Sequence, residues 1–208
     1  LGDYKGALAD YSQVIAIAPK SADAYANRCS TQLNLGAHQA AIDDCTQAIS
    51  LSSEDGVPYN NRCIAYLNLK DYPKAIEDCT QAVKLNPNDD HAFSNRGLAR
   101  NEAGDAQGAI ADFTSAIGLN PNDAEAYANR AKIYQQLNNY NSAIADYVQA
   151  IRLNPNYAAA YYGRGIVRRS LGDKAGALSD FEKAGKIFLD QGLTGGYKDA
   201  QFEIEKLK

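Results

Sequence analysis

The chain has no tryptophan, no methionine and only two histidines in 208 residues. No stretch is long and apolar enough to cross a bilayer, which takes ~20 consecutive apolar residues, and no signal-peptide pattern stands ahead of the first patterned segment. An excess of basic charge is missing too: 21 Lys and Arg face 25 Asp and Glu, for a formal net charge of -4. That balance argues against a general nucleic-acid binder, which carries clustered positive charge. Catalytic signatures are also lacking. There is no G-x-x-x-x-G-K-[ST] loop for phosphates, no H-E-x-x-H helix for zinc and no Gly-rich dinucleotide turn. His38 and His91 lie 53 residues apart with no cysteine or carboxylate partner implied, and His38 fills a slot that is Tyr4, Tyr72 and Tyr140 elsewhere. No catalytic residue, cofactor or metal is expected.

What the chain does have is a period. The stretch from Ala124 to Tyr157 lands on itself when moved 34 residues in either direction, with no insertion or deletion. Residues 1–21 match only the second half of the unit, and full units follow at 22–55, 56–89, 90–123, 124–157 and 158–191. Such units stack on one another and share a continuous core, so residues 1–208 are expected to form one domain. Because the array begins mid-unit, the first helix is expected to have packed against a helix upstream of it.

Each unit reads as two helices. The first carries an aromatic (Tyr25, Tyr59, Phe93, Tyr127, Tyr161) and, four residues on, a small residue (Cys29, Cys63, Gly97, Ala131, Gly165), which share one helical face. It ends at Gly36, Lys70, Gly104, Asn138 or Gly172, a slot suited to left-handed backbone. The next helix opens after Asp71, Asp105, Asn139 or Asp173, whose side chains can accept from free N–H groups. It stops at Asn-Pro-Asn turns around Pro87, Pro121 and Pro155. After the last unit, Gly192, Gly195 and Gly196 are expected to break the chain. A capping helix at about 197–208 should then turn Tyr197, Ala200, Ile204 and Leu207 inward and its Lys, Asp, Glu and Gln residues to water.

The four cysteines, Cys29, Cys45, Cys63 and Cys79, recur with the units. They take core slots held elsewhere by Gly or Ala and by Phe or Tyr, so they read as small buried hydrophobes. They lack the short spacing of a zinc site. Reduced thiols would suit a cytoplasmic setting.

These residues resemble the tetratricopeptide repeat (TPR) family over nearly the whole chain. In the unit at 124–157 the family pattern falls on Tyr127, Ala131, Tyr134, Ala143, Tyr147, Ala150 and Pro155. The resemblance implies an all-α, right-handed α-solenoid of helix-turn-helix repeats with a C-terminal capping helix. The family's Leu slot is instead Arg28, Arg62, Arg96, Arg130 and Arg164, while the second helices each carry an Asp: Asp10, Asp44, Asp78, Asp112, Asp146 and Asp180. The two series read as a ladder of ion pairs. Spacing leaves open whether Arg28 meets Asp44, sixteen on, or Asp10, eighteen back.

By the same resemblance the first helices line a concave groove. There Asn27, Asn61, Asn95 and Asn129 resemble an asparagine ladder that grips the backbone of an extended peptide, since an amide both donates and accepts. The fifth unit breaks the series with Gly163. Asn60, Ile64, Leu98, Lys132 and Arg169 are the neighbouring candidates. The clamp of TPR co-chaperones for acidic tails is disfavoured, because Ala26, Ser30 and His91 stand where its basic and amide residues would be. The expected function is that of a non-catalytic protein-interaction scaffold holding a peptide segment of a protein partner. The alternative is a regulatory or substrate-docking arm of a larger enzyme or assembly. Self-association through the uncapped first helix is a further expectation.

Overall fold

Alanine-rich segments bounded by Asp, Asn, Gly and Pro fold here into helices alone. The computed structural model describes residues 3–207, among which there is no strand. The helices fall into two units. The first, within residues 3–119, holds α1 (Tyr4–Ile17), α2 (Ala22–Asn34), α3 (His38–Leu51), α4 (Gly56–Asn68), α5 (Tyr72–Leu85), α6 (Asp90–Glu102) and α7 (Ala106–Leu119). The second, within residues 120–207, holds α8 (Ala124–Gln136), α9 (Tyr140–Leu153), α10 (Ala158–Ser170), α11 (Lys174–Asp190) and α12 (Thr194–Glu205). In each unit consecutive helices pack as hairpins, and the first helices of successive hairpins also touch, α2 on α4 on α6 and α8 on α10. The fold is an all-α solenoid built from repeated hairpins.

Local chemistry sets the helix limits. Asp3, Asp71, Asn139 and Asp173 each accept from the N–H three residues on, as does Asp105 from Gly108 at 2.9 Å. Ser21, Asp89 and Asp123 cap the first helices in the same manner, and Asp55 does so from Val57, two residues on. Ala37 and Tyr157 supply no side-chain cap. The expected left-handed residues are left-handed: Gly36, Gly104 and Gly172 have φ of 73°, 88° and 82°, and Asn138 and Lys70 follow at 58° and 62°.

Small residues then allow close packing. Ala41, Ala75, Ala109, Ala143 and Ala177 are fully buried where the two helices of each hairpin meet. In the hairpin α6–α7 the ring of Phe113 lies so near α6 that a Cβ on Gly97 would stand 3.0 Å from it, which is why the slot opposite is glycine.

Three expectations are corrected. The cysteines are buried as expected, but they are not thiols: Cys29 is bonded to Cys45 and Cys63 to Cys79, with Cα–Cα separations of 5.5 and 5.4 Å. The period that places the slots in the core also places them opposite each other across one hairpin. The capping helix begins at Thr194, so Gly195 and Gly196 lie in its first turn and do not break the chain. Gly196 is where the ring of Phe188 comes close, 2.8 Å from where a Cβ would sit. Ala200 and Ile204 point inward as expected, but Glu203 is buried with them. It pairs with Arg169 of α10 and with Lys206, the latter at 3.2 Å.

Candidate functional site

Neighbouring positions on a helix are ~100° apart, so Asn and Arg in adjacent slots face different ways. The arginines turn into the hairpin. Arg62 donates through Nε and Nη2 to both oxygens of Asp78 at 2.7 and 2.8 Å, a forked pair with both partners mostly out of water. Arg28–Asp44, Arg96–Asp112, Arg130–Asp146 and Arg164–Asp180 repeat it, so the register left open by the sequence is sixteen residues forward, within one hairpin. The bond to Asp78 holds the Arg62 guanidinium above the usual arginine pKa. Each guanidinium also stands over the aromatic ring three residues earlier, 5.4 to 5.8 Å from its centre for Phe93 and Tyr59. Arg28 and Arg62 use Nη1 to reach back to the preceding hairpin or helix, to Ser12 at 3.1 Å and Thr46 at 2.9 Å. This set is spent on the fold.

The asparagines turn the other way. Asn27 is exposed and Asn61, Asn95 and Asn129 are half-buried. Asn95 Nδ2 donates to Asn60 Oδ1 at 3.0 Å, linking α6 to α4. Among the described residues the amides of Asn27, Asn61 and Asn129 have no hydrogen-bond partner, yet none counts among the buried orphaned groups, so they remain open to solvent or a ligand.

Two crevices open between first helices, one between α4 and α6 in the first unit and one between α8 and α10 in the second. In the first unit, α4 and α6 enclose about 310 Å³ lined by Ile64, Leu67, Asn68, Asn95, Leu98 and Glu102. This brings together the candidates Ile64, Asn95 and Leu98, with Asn60 bonded to Asn95 alongside. In the second unit, a crevice of about 320 Å³ has Lys132 and Gln135 of α8 on one side and Tyr162 and Ile166 of α10 on the other. Tyr147 and Phe188 form its floor. Tyr147 donates its hydroxyl to Gln135 Oε1 at 2.9 Å, and burial raises its pKa, so the phenol stays protonated.

Gly163 belongs to the same crevice and explains the break in the asparagine series. Any Cβ there would run into the Tyr147 ring, so an asparagine cannot occupy the slot while that ring does. Tyr147 and Phe188 were not foreseen as groove residues: Tyr147 reads as a core slot, and the signal that could have found it was the missing asparagine. Asn27, Asn61 and Asn129 line neither crevice, and Arg169 is tied to Glu203 of the capping helix. Among the described residues no cluster of His, Cys, Asp and Glu could hold a metal, and no helix is long and apolar enough to cross a membrane.

Four family models match the sequence, each described as a tetratricopeptide repeat or TPR repeat, over residues 1–56, 57–89, 101–145 and 132–172. No curated protein matches it. Among solved structures, PilF of Pseudomonas aeruginosa is similar at a TM-score of 0.82 and 20% identity, over 97% of this chain and 90% of that one. A tetratricopeptide repeat protein from Parabacteroides merdae is similar at 0.72 and 22%, over 99% and 91%. YrrB, described as a TPR protein with an unusual peptide-binding site, is similar at 0.71 and 20%, over 91% and 97%. At these identities the likeness is one of fold.

Proposed function

Since the chain belongs to the tetratricopeptide repeat family, we propose that it is a protein-interaction scaffold that does no chemistry of its own and holds an extended peptide segment of a partner along its first helices. In the first unit Asn27, Asn61 and Asn95 contact the peptide backbone, and Ile64 and Leu98 receive one of its apolar side chains. In the second unit, taken by itself, Asn129 offers the same backbone contact and Lys132 meets a polar or acidic group. The observation that carries this reading is the state of the amides: among the described residues Asn27, Asn61 and Asn129 have no side-chain hydrogen-bond partner, and the side-chain carbonyl of Asn95 is uncommitted beside a crevice with apolar walls. An amide with a free donor and acceptor suits a peptide bond, and an extended segment held by main-chain bonds and shallow pockets is a recurring recognition mode. The peptide-binding site named for the structurally similar YrrB is consistent with such a use of the fold.

The experiment starts from peptides selected on the full chain from a display library of extended sequences. Replacing Asn61 and Asn95 together by Ala removes hydrogen bonds worth about 0.5–1.5 kcal/mol each, so the dissociation constant should rise about tenfold. The helical signal should be unchanged. Equal affinity of the Asn61→Ala/Asn95→Ala variant would remove these residues from the mechanism.

A further inference from the structure

The two slots that face each other in the middle of a hairpin hold either an aromatic against a small residue or two cysteines, and never one cysteine alone. Phe113 faces Gly97, Tyr147 faces Ala131 and Phe181 faces Gly165, whereas Cys29 faces Cys45 and Cys63 faces Cys79. Cysteines used only as small hydrophobes would have no reason to arrive in facing pairs. The cores around them point the same way. The buried residues beside Cys29 and Cys45 are Ala41, Ile42 and Ala65, and those beside Cys63 and Cys79 are Ala75 and Ala99. No buried ring fills either hairpin, so the covalent bond takes the place that an aromatic fills elsewhere. All four sulfur-bearing residues have zero exposure, and among the described residues no cysteine is free.

We propose that the hairpins α2–α3 and α4–α5 are substrates of a thiol–disulfide oxidation step and that the chain therefore folds and meets its partner in an oxidising compartment. In each hairpin two thiols lose two protons and two electrons as the sulfur–sulfur bond forms. The acceptor is a disulfide, either a protein of the thiol–disulfide oxidoreductase class or a low-molecular-weight one, which leaves as two thiols. Once the helices close, the bond is out of reach of solvent thiols, so the exchange accompanies folding. Bonds of this kind persist where the surroundings are oxidising and are rare where glutathione and thioredoxin keep thiols reduced.

The full chain isolated from its own host is acid-quenched, denatured and alkylated without reductant, then digested and mapped. The proposal expects no alkylated cysteine and two linked peptide pairs, Cys29 with Cys45 and Cys63 with Cys79. Four alkylated cysteines, or any other pairing, overturn it. In a second arm the melting temperature is measured on the oxidised chain and on chain reduced while unfolded in denaturant and refolded with reductant present. Loss of two constraints on hairpin loops should lower the first transition by on the order of 10 °C or more. A variant carrying the α6–α7 solution in both hairpins, Cys29→Gly/Cys45→Phe and Cys63→Gly/Cys79→Phe, should melt at one temperature in either condition. Equal melting of the oxidised and the reduced, refolded wild type overturns the proposal, and the mapping arm decides it independently of whether the variant folds.

Discussion

Replacing Arg62 with Met tests whether the ion pairs act as closed units or as ornaments on an apolar contact. The Asp78 side chain is only 6% exposed, and Arg62 is 17% exposed and supplies both of the bonds that neutralise it. Taking away the guanidinium leaves a carboxylate without a partner in the hairpin, for a cost of about 3–5 kcal/mol. The bond from Arg62 to Thr46 on α3 is lost as well, adding about 0.5–1.5 kcal/mol. The double variant Arg62→Met/Asp78→Leu removes both charges together, so it should recover most of that loss and could equal or exceed the wild type. The measurement is urea denaturation of the full chain followed by far-UV ellipticity. The single variant should shift the midpoint down strongly and the double variant little. A double variant as unstable as the single one would refute the reasoning, because it would mean that the pair's attraction, and not the stranded charge, sets the cost.

Two smaller changes should stabilise the chain. Ala37 stands at the start of α3 without a side-chain cap, where Asp71, Asp105 and Asp173 cap the equivalent helices. Ala37→Asp should therefore add about 1 kcal/mol, read as a rise in melting temperature. Lys70 is held at φ 62°, where a side chain is strained by about 1–2 kcal/mol and glycine is not. Lys70→Gly should raise the melting temperature, and a fall would show that the Lys70 side chain contributes more than its backbone costs.

Much of this fold is legible in the sequence because the same slot is sampled five times. Lys70 alone would not suggest left-handed backbone, but its alignment with Gly36, Gly104 and Gly172 does, and its φ agrees. The arginine and aspartate series are legible as partners for the same reason. Their register is not, because both offsets put an Asp on a helix packed against the arginine's own, and only the forward one faces it. Repetition also misled. Treating the cysteines as occupants of single slots hid that the slots face each other. Where repetition ends, at the capping helix, ordinary residue preferences failed: Glu203 looked solvated until Arg169 was seen across from it, and the glycines looked like breakers until Phe188 was seen above them. Of the candidate site, Ile64, Asn95 and Leu98 were legible as neighbours, whereas Asn27, Asn61 and Asn129 line neither crevice. The crevice in the second unit was not legible, because Tyr147 fills a core slot and lines that crevice where Gly163 leaves room for its ring.

The sixteen-residue reach of each arginine to its aspartate, inside one hairpin, has a genetic corollary. Duplicating or deleting a whole 34-residue unit ahead of the last one hands on every Arg–Asp pair intact, since donor and acceptor are copied together. Adding or losing a single helix would separate them and strand a charge. The array can therefore change length by whole hairpins without leaving a carboxylate or guanidinium alone, but not by single helices.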